Sequence, residues 1–478
     1  MADRTTIRAW IKQQRRWARP SFVASLLLGL LLVRYLRQRR RRRLSLMSEM
    51  LRLGMFGTWD ATVVIQGLLR FETLPHPSRV ADVIRQRIVP CDQFRRFVSR
   101  PCADGGLEPV TFNIGDHVES LTVQDDAELA RFVEQQASVA LDACRPLWRL
   151  FCITNRSGQH AILARVHHLV GDGLSLMHLF AALLTDADGR PIEFRSAKST
   201  SPAPSSIRLS IPAVFSVLVA SLRRDTATIV NTRARDLDRQ RRGHRRPRLE
   251  WSPAKVVAMS PRLSLAFVKT IKAAAGPGVT VNDVLASALS GAVARYLREF
   301  DQGASAGRIR AMIPVATPRP VDQDLGNLFC LVSTELTVDE SDPVERLRRM
   351  HARLARMKAT NEAVVTNALQ AMLSSVLPVR AQTAACAALV DAHSMFFTNV
   401  PGPQFPVYLD GCRMTAMHIP IANSRPQVSI VSYDGAYSVC VAAEPDMIAQ
   451  PATFIARFTD ELRDLGRSLN IEGDPILA

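Results

Sequence analysis

One short stretch concentrates the chemistry of this chain. His167-His168-Leu169-Val170-Gly171-Asp172-Gly173 places two adjacent histidines four residues ahead of an Asp-Gly pair. A neutral imidazole with an unperturbed pKa near ~6.5 can take a proton from a hydroxyl or thiol at neutral pH. The same residues could hold a metal ion or simply fill a core. Neighbours on a strand point to opposite faces, however, so two adjacent histidines rarely chelate one ion. No third ligand cluster accompanies them, and none of the eight cysteines forms a C-x-x-C pair of the zinc-ribbon or redox type. The spacing favours one histidine as a general base and the other as a structural residue, with no metal.

The flanking residues say how such a base would be held. Ala161 to His167 reads as a strand and a helix begins near Leu174, so the histidines fall where a strand gives way to a loop. Alternation puts His168 on the face of Val166 and Ala164, and His167 on the face of Arg165 and Leu163. One histidine can then point into a cavity while the other packs in the structure. Asp172 can fold back and anchor the loop, and Gly173 permits close backbone approach or a positive φ. Leu150 to Thr154 is a second strand, joined to the first through Asn155-Arg156-Ser157-Gly158. That turn also spells a glycosylation sequon, which is only a turn if this part of the chain faces the cytosol. Asp126 to Leu141 reads as a helix.

Further along, Thr280 to Phe300 is the clearest helix. Leu285, Ala288, Leu289, Ala292, Val293, Tyr296, Leu297 and Phe300 repeat at threes and fours, behind a Thr280/Asp283 capping box. Strands are expected at 308–315, 331–338, 426–432 and 437–442, the last two joined by Asp434-Gly435, and a helix at 343–358. Strands and helices do not alternate strictly, which favours α+β layers over a doubly wound sheet.

The chain has 478 residues, 47% of them apolar, with a net charge of +17. This suffices for a sizeable core in two or three domains and excludes a disordered tail or small disulfide scaffold. The charge is localised. Residues 1–43 carry +12 and residues 233–248 carry +6, leaving the remainder at −1. A near-neutral body with two basic segments argues against a nucleic-acid-binding face and suits contact with anionic lipid. Phe22 to Val33 is an apolar run, followed through Leu36 by an arginine block. It is short for a spanning helix, so either a marginal span or a helix lying in one leaflet is expected. The expected organisation is a basic tail (1–19), a membrane anchor helix (20–36), an arginine-rich juxtamembrane segment (37–49), a first subdomain (50–195), a crossover linker (196–250) and a second subdomain (251–478). The linker contains a Ser/Pro-rich stretch, then an apolar helical face from Ile211 to Leu222, then the second basic run.

H-H-x-x-x-D-G resembles the signature of the CoA-dependent acyltransferase superfamily, which includes chloramphenicol acetyltransferases and the condensation domains of peptide synthetases. Other segments narrow the likeness. Pro146-Leu147-Trp148, Val281-Asn282-Asp283-Val284-Leu285, Leu325-Gly326-Asn327, and Asn399-Val400-Pro401-Gly402-Pro403 with Tyr408-Leu409 and Gly411 are similar to motifs of the wax ester synthase/diacylglycerol acyltransferase (WS/DGAT) family. The resemblance implies an α+β, two-subdomain, chloramphenicol-acetyltransferase-like fold around a tunnel. It implies acyl-CoA as a substrate rather than a cofactor, and diacylglycerol or a long-chain alcohol as acceptor. His168 would be the base, with His167, Asp172 and Gly173 supporting it. Asn282, Asp283, Pro146 and Trp148 would bind substrate or support the site, although a helix cap explains Asp283 and core filling explains Pro146 and Trp148 equally well. Asp410 stands where the family often has a small apolar residue, and would alter acceptor choice if it lined the channel. The catalytic body would be cytosolic and membrane-associated, on endoplasmic reticulum or lipid droplets if the source is eukaryotic. A condensation-type transferase with another acceptor, and a catalytically silent lipid-binding protein, are the alternatives.

Overall fold

The computed structural model describes residues 64–102, 107–192, 254–300, 308–317, 325–359 and 392–477, with a few isolated positions between 363 and 390. The expected anchor, both basic segments, the Ser/Pro-rich linker and the apolar stretch 211–222 lie outside the described residues. Among the described residues, no helix is long and apolar enough to cross a membrane.

The first half runs β1 (Val64–Phe71), α1 (Pro77–Arg87), β2 (Ser99–Pro101), β3 (Leu107–Pro109), β4 (Val118–Val123), α2 (Asp126–Ala137), β5 (Trp148–Asn155), β6 (His160–His167) and α3 (Gly173–Leu183). The second runs β7 (Val256–Met259), β8 (Leu263–Ser264), α4 (Leu265–Ala274), α5 (Val281–Phe300), β9 (Arg310–Ala316), β10 (Phe329–Glu335), α6 (Pro343–Ala359), β11 (Met395–Pro401), β12 (Tyr408–Leu409), β13 (Cys412–His418), β14 (Gln427–Tyr433), β15 (Ala436–Ala443) and α7 (Pro451–Ser468).

Two sheets organise the molecule. The first has six strands in the order β12-β13-β1-β6-β5-β4, and the second has the order β10-β9-β11-β14-β15-β7, with β8 also on β15. The halves therefore interlock. β12 and β13 belong to the second half in sequence yet complete the first sheet, pairing Leu68 with His418 and Leu69 with Met417. A boundary drawn between 195 and 251 separates the sequence but not the sheets.

β6 is central in the first sheet and buried on both faces, which its run Ala-Ile-Leu-Ala-Arg-Val requires. On one face Ala161 and Leu163 pack with Leu129 and Val133 of α2. On the other, Ile162 and Val166 pack with Leu69 and Phe71 of β1. In the second half α5 lies at the centre of the helical layer, buried from Asp283 through Ala294 against the seven-stranded sheet, α6 and α7. Its start has the reciprocal cap foreseen: Thr280 N donates to Asp283 Oδ2 (2.8 Å) and Asp283 N to Thr280 Oγ1 (3.3 Å). The Asn155 amide of the sequon is buried and donates to Asp126 Oδ1 (2.8 Å), so here it serves the turn.

Candidate active site

β6 ends at His167, and the two histidines part as alternation requires. His167 is buried. Its ring Nδ1 accepts from Leu169 N (3.1 Å) and its backbone N donates to Leu147 O (2.9 Å). Burial, with the neighbouring His168 as a smaller influence, pushes its pKa down to about 4, so it is neutral at physiological pH. It shapes the loop and does not face the cavity.

His168 lines a cavity of about 370 Å³ between the halves. Ala164 and Val166 of its own face line it too, with Ile65 and Leu69 of β1, Met177 and Phe180 of α3, and Phe329, Leu331, Phe396 and Val400 from the second half. The wall is mostly apolar. Its polar members besides His168 are Asp172, Thr398, Asn399, Asn423 and Gln427. The size falls at the lower end of the ~300–1,000 Å³ usual for small-molecule sites.

The imidazole is oriented by a residue 159 positions away. His168 Nδ1 lies 2.8 Å from Asn327 Oδ1, and Asn327 Nδ2 donates to the His168 carbonyl (2.8 Å). The second bond fixes which amide atom is which. Oδ1 must then accept, so Nδ1 carries the proton and Nε2 keeps a lone pair. Burial lowers the pKa of His168 below the ordinary histidine value, while the Asp172 carboxylate and the Asn327 hydrogen bond oppose that shift. The ring also rests 5.7 Å from that of Phe329.

Asp172 anchors the loop through hydrogen bonds. Its Oδ1 accepts from Ser175 N (2.9 Å) and caps α3; its Oδ2 accepts from Leu328 N (2.8 Å), across the junction of the halves. Gly326 O accepts from Asp172 N (3.1 Å) and from Ser175 Oγ (2.7 Å). The glycines serve close approach. A Cβ on Gly173 would sit 3.3 Å from Val400, and one on Gly171 would come within 2.6 Å of the Ser175 Cβ. Neither has a positive φ, so Gly171 is the more demanding of the two.

The remaining expected residues divide. Asn282 reaches the rim, its Oδ1 accepting from Nδ2 of the cavity residue Asn399 (2.6 Å). Asp283 does not line the cavity. It is spent on the helix cap and on His351, whose Nδ1 lies 2.8 Å from its Oδ2. Trp148 and Pro146 do not line it either. Trp148 is core, stacked on Phe97 at 4.4 Å with Nε1 donating to Phe97 O (2.8 Å). Pro146 borders a separate polar cleft with His117, Arg100 and Arg145. Both precede or open β5, which pairs with β6, so this segment supports the histidine strand from the side. Asp410 is likewise outside the cavity wall. With φ of +48°, followed by Gly411 at +77°, it forms the turn between β12 and β13 and pairs with Arg79 (2.9 Å). Asn327 is the residue that sequence reasoning left without a role. The glycine-asparagine segment was its signal. Among the described residues, no cluster of three or more His, Cys, Asp or Glu side chains could hold a metal.

The architecture is a two-domain α+β fold that resembles WS/DGAT and condensation-domain structures. The starter condensation domain of rhizomide synthetase, solved with C8-CoA and Leu-SNAC, superposes with a TM-score of 0.58 over 91% of this chain and 95% of its own, at 13% identity. A wax ester synthase/diacylglycerol acyltransferase from Marinobacter aquaeolei VT8 superposes with a TM-score of 0.59 over 90% of this chain and all of its own, at 18% identity. The chain belongs to the WS/DGAT family: residues 77–285 match its wax ester synthase/diacylglycerol acyltransferase catalytic domain and residues 325–466 its C-terminal domain. It is an acyltransferase of that type. Relatives named diacylglycerol O-acyltransferase occur in Mycobacterium bovis and Mycobacterium tuberculosis, each 26% identical over 81% of this chain and 87% of theirs.

Proposed function

We propose that this protein transfers a fatty acyl group from acyl-CoA to a lipid hydroxyl, with His168 as general base. The acceptor is diacylglycerol, a long-chain alcohol, or both. The observation that carries this is the state of one ring: Nδ1 is occupied by Asn327, which leaves Nε2 as the basic nitrogen, and the residue lines a mostly apolar cavity. Nε2 takes the acceptor's hydroxyl proton as that oxygen bonds to the thioester carbon. The tetrahedral intermediate then collapses, the C–S bond breaks, and the departing thiolate recovers the proton from the imidazolium. The products are an ester and free CoA. The apolar wall supports the reaction by keeping water from the thioester, and confinement of both partners supplies orientation.

The relatives' names support lipid acceptors. The basic, apolar N-terminal segment would keep the body at a lipid surface, where such acceptors partition.

Replacing His168 with Ala tests the assignment. With labelled acyl-CoA, and diacylglycerol and hexadecanol offered together, turnover to both esters should fall by about 10²–10⁴-fold, with membrane association and the circular dichroism spectrum unchanged. Undiminished product would remove His168 from the mechanism.

A further inference from the structure

Four residues of the first half converge on one short segment of the second. Leu325-Gly326-Asn327-Leu328 runs beside the histidine loop, and Gly326 and Asn327 are buried. From one side, Asp172 Oδ2 accepts from Leu328 N, and Asp172 N donates to the Gly326 carbonyl. Toward the helical turn Asp92–Val98, Leu325 N donates to Gln93 O (2.9 Å), and the Arg96 guanidinium lies 3.5 Å from the point a Cβ on Gly326 would occupy.

Ser175 is the fourth residue, and its hydroxyl meets both backbone groups of Gly326. Oγ donates to Gly326 O (2.7 Å) and accepts from Gly326 N (3.1 Å). Ser175 is buried in the first turn of α3, three residues after the Asp172 cap. A polar side chain at that position usually reaches back to the N–H of the capping residue. Here the Asp172 N–H is directed to Gly326 O, and the serine hydroxyl crosses to the same residue. A buried serine deeper in a helix can return its proton to the preceding turn, as Ser290 does to Ala286 O (2.8 Å). Ser175 stands too near the start of α3 for that, because the residue four positions before it, Gly171, precedes the helix.

The consequence falls on the next residue. Glycine is the most permissive hinge in a chain, and the Gly326 carbonyl belongs to the planar peptide unit that leads into Asn327. A hydroxyl tied to both peptide units flanking Gly326 fixes the angle between them, and with it the point from which the Asn327 side chain starts. Asn327 Oδ1 is the atom that faces His168 Nδ1 at 2.8 Å. We propose that Ser175 is a positioning residue for acyl transfer: by pinning the backbone of Gly326 it places the Asn327 amide that keeps the proton on His168 Nδ1. This rests on the reading of His168 as general base.

The test uses the full chain with labelled palmitoyl-CoA and whichever of dioleoylglycerol and hexadecanol the wild type esterifies faster. It compares wild type, Ser175→Ala, Asn327→Leu and the double variant. Ser175→Ala should lower kcat about three- to tenfold, as for one lost hydrogen bond, with both KM values unchanged. On the Asn327→Leu background the same replacement should change kcat by less than about twofold, because its route is already cut. Ser175→Cys keeps a weaker donor at similar size and should fall between wild type and Ser175→Ala; it carries the comparison if the alanine variant does not fold. A kcat equal to wild type in Ser175→Ala overturns the proposal, and so do losses at the two sites that simply multiply. A loss expressed in KM also overturns it, since that would put the hydroxyl on a substrate. Undiminished turnover by His168→Ala removes the base reading itself, a result distinct from any of these.

Discussion

Two buried polar regions of this molecule are built on opposite plans. In the helical layer of the second half, Glu461 of α7 is gripped by Arg346 of α6 and Arg295 of α5, and Arg295 also holds Asp464. Here charge is buried and each charge meets its opposite. At the cavity, the loop carrying His168 is fastened by neutral amides, backbone carbonyls and the cap of Asp172, and burial favours the neutral form of the ring. In the first arrangement each charge is set against an opposite one, and in the second the ring is held through one nitrogen only. A closed network resists change, whereas a held but incompletely bonded group can react.

The comparison can be broken at either end. The largest effect is expected at the ionic knot. Glu461→Gln leaves the buried Arg346 guanidinium facing a neutral amide and should cost about 3–5 kcal/mol in urea unfolding, while kcat/KM of the protein that remains folded changes little. Gly291 shows how tight the knot is, since a Cβ there would collide with the Glu461 carboxylate. Stability unaffected by Glu461→Gln would mean the knot is slack.

At the cavity, Asn327→Leu should act on rate and pH profile more than on stability. Losing the bond that fixes the tautomer should lower kcat about tenfold. The sign of the pH effect follows from the same contact. The neutral imidazole is the working form, so activity is lost as pH falls through the pKa of His168, which burial has lowered below the usual ~6.5. The Asn327 bond opposes that lowering, so removing it should carry the acid limb to still lower pH. An acid limb that stays put would reduce Asn327 to loop packing. The smallest effect is expected from Asp410→Asn. The turn tolerates asparagine at positive φ, and the ion pair with the well-exposed Arg79 is worth little. Acceptor preference measured with diacylglycerol and hexadecanol should be unchanged; a shift would put this turn on the acceptor's route after all.

What the sequence disclosed was local. The strand, loop and helix around the histidine pair, the division of the two rings between faces, and the capped start of α5 all depend on residues within a few positions of one another. Period and capping chemistry record such relations directly. The partner of His168 was hidden because Asn327 approaches it only after the chain has crossed into the second half. The membership of β12 and β13 in the first sheet was hidden for the same reason. Trp148 and Asp283 were ambiguous because a motif marks a position without saying which way it faces. A tryptophan at the head of a strand reads alike whether it packs on Phe97 or borders a cavity, and only the stacking decides.

The pairing of β1 with β13 also bears on how the chain is made. Synthesis delivers β1 long before residues 412–418, and until they emerge one side of β1 has a row of unsatisfied amides and carbonyls with apolar residues beside it. The nascent protein must shelter that open edge through most of translation, and a fragment ending short of β13 would leave the ribosome primed to stick to its neighbours.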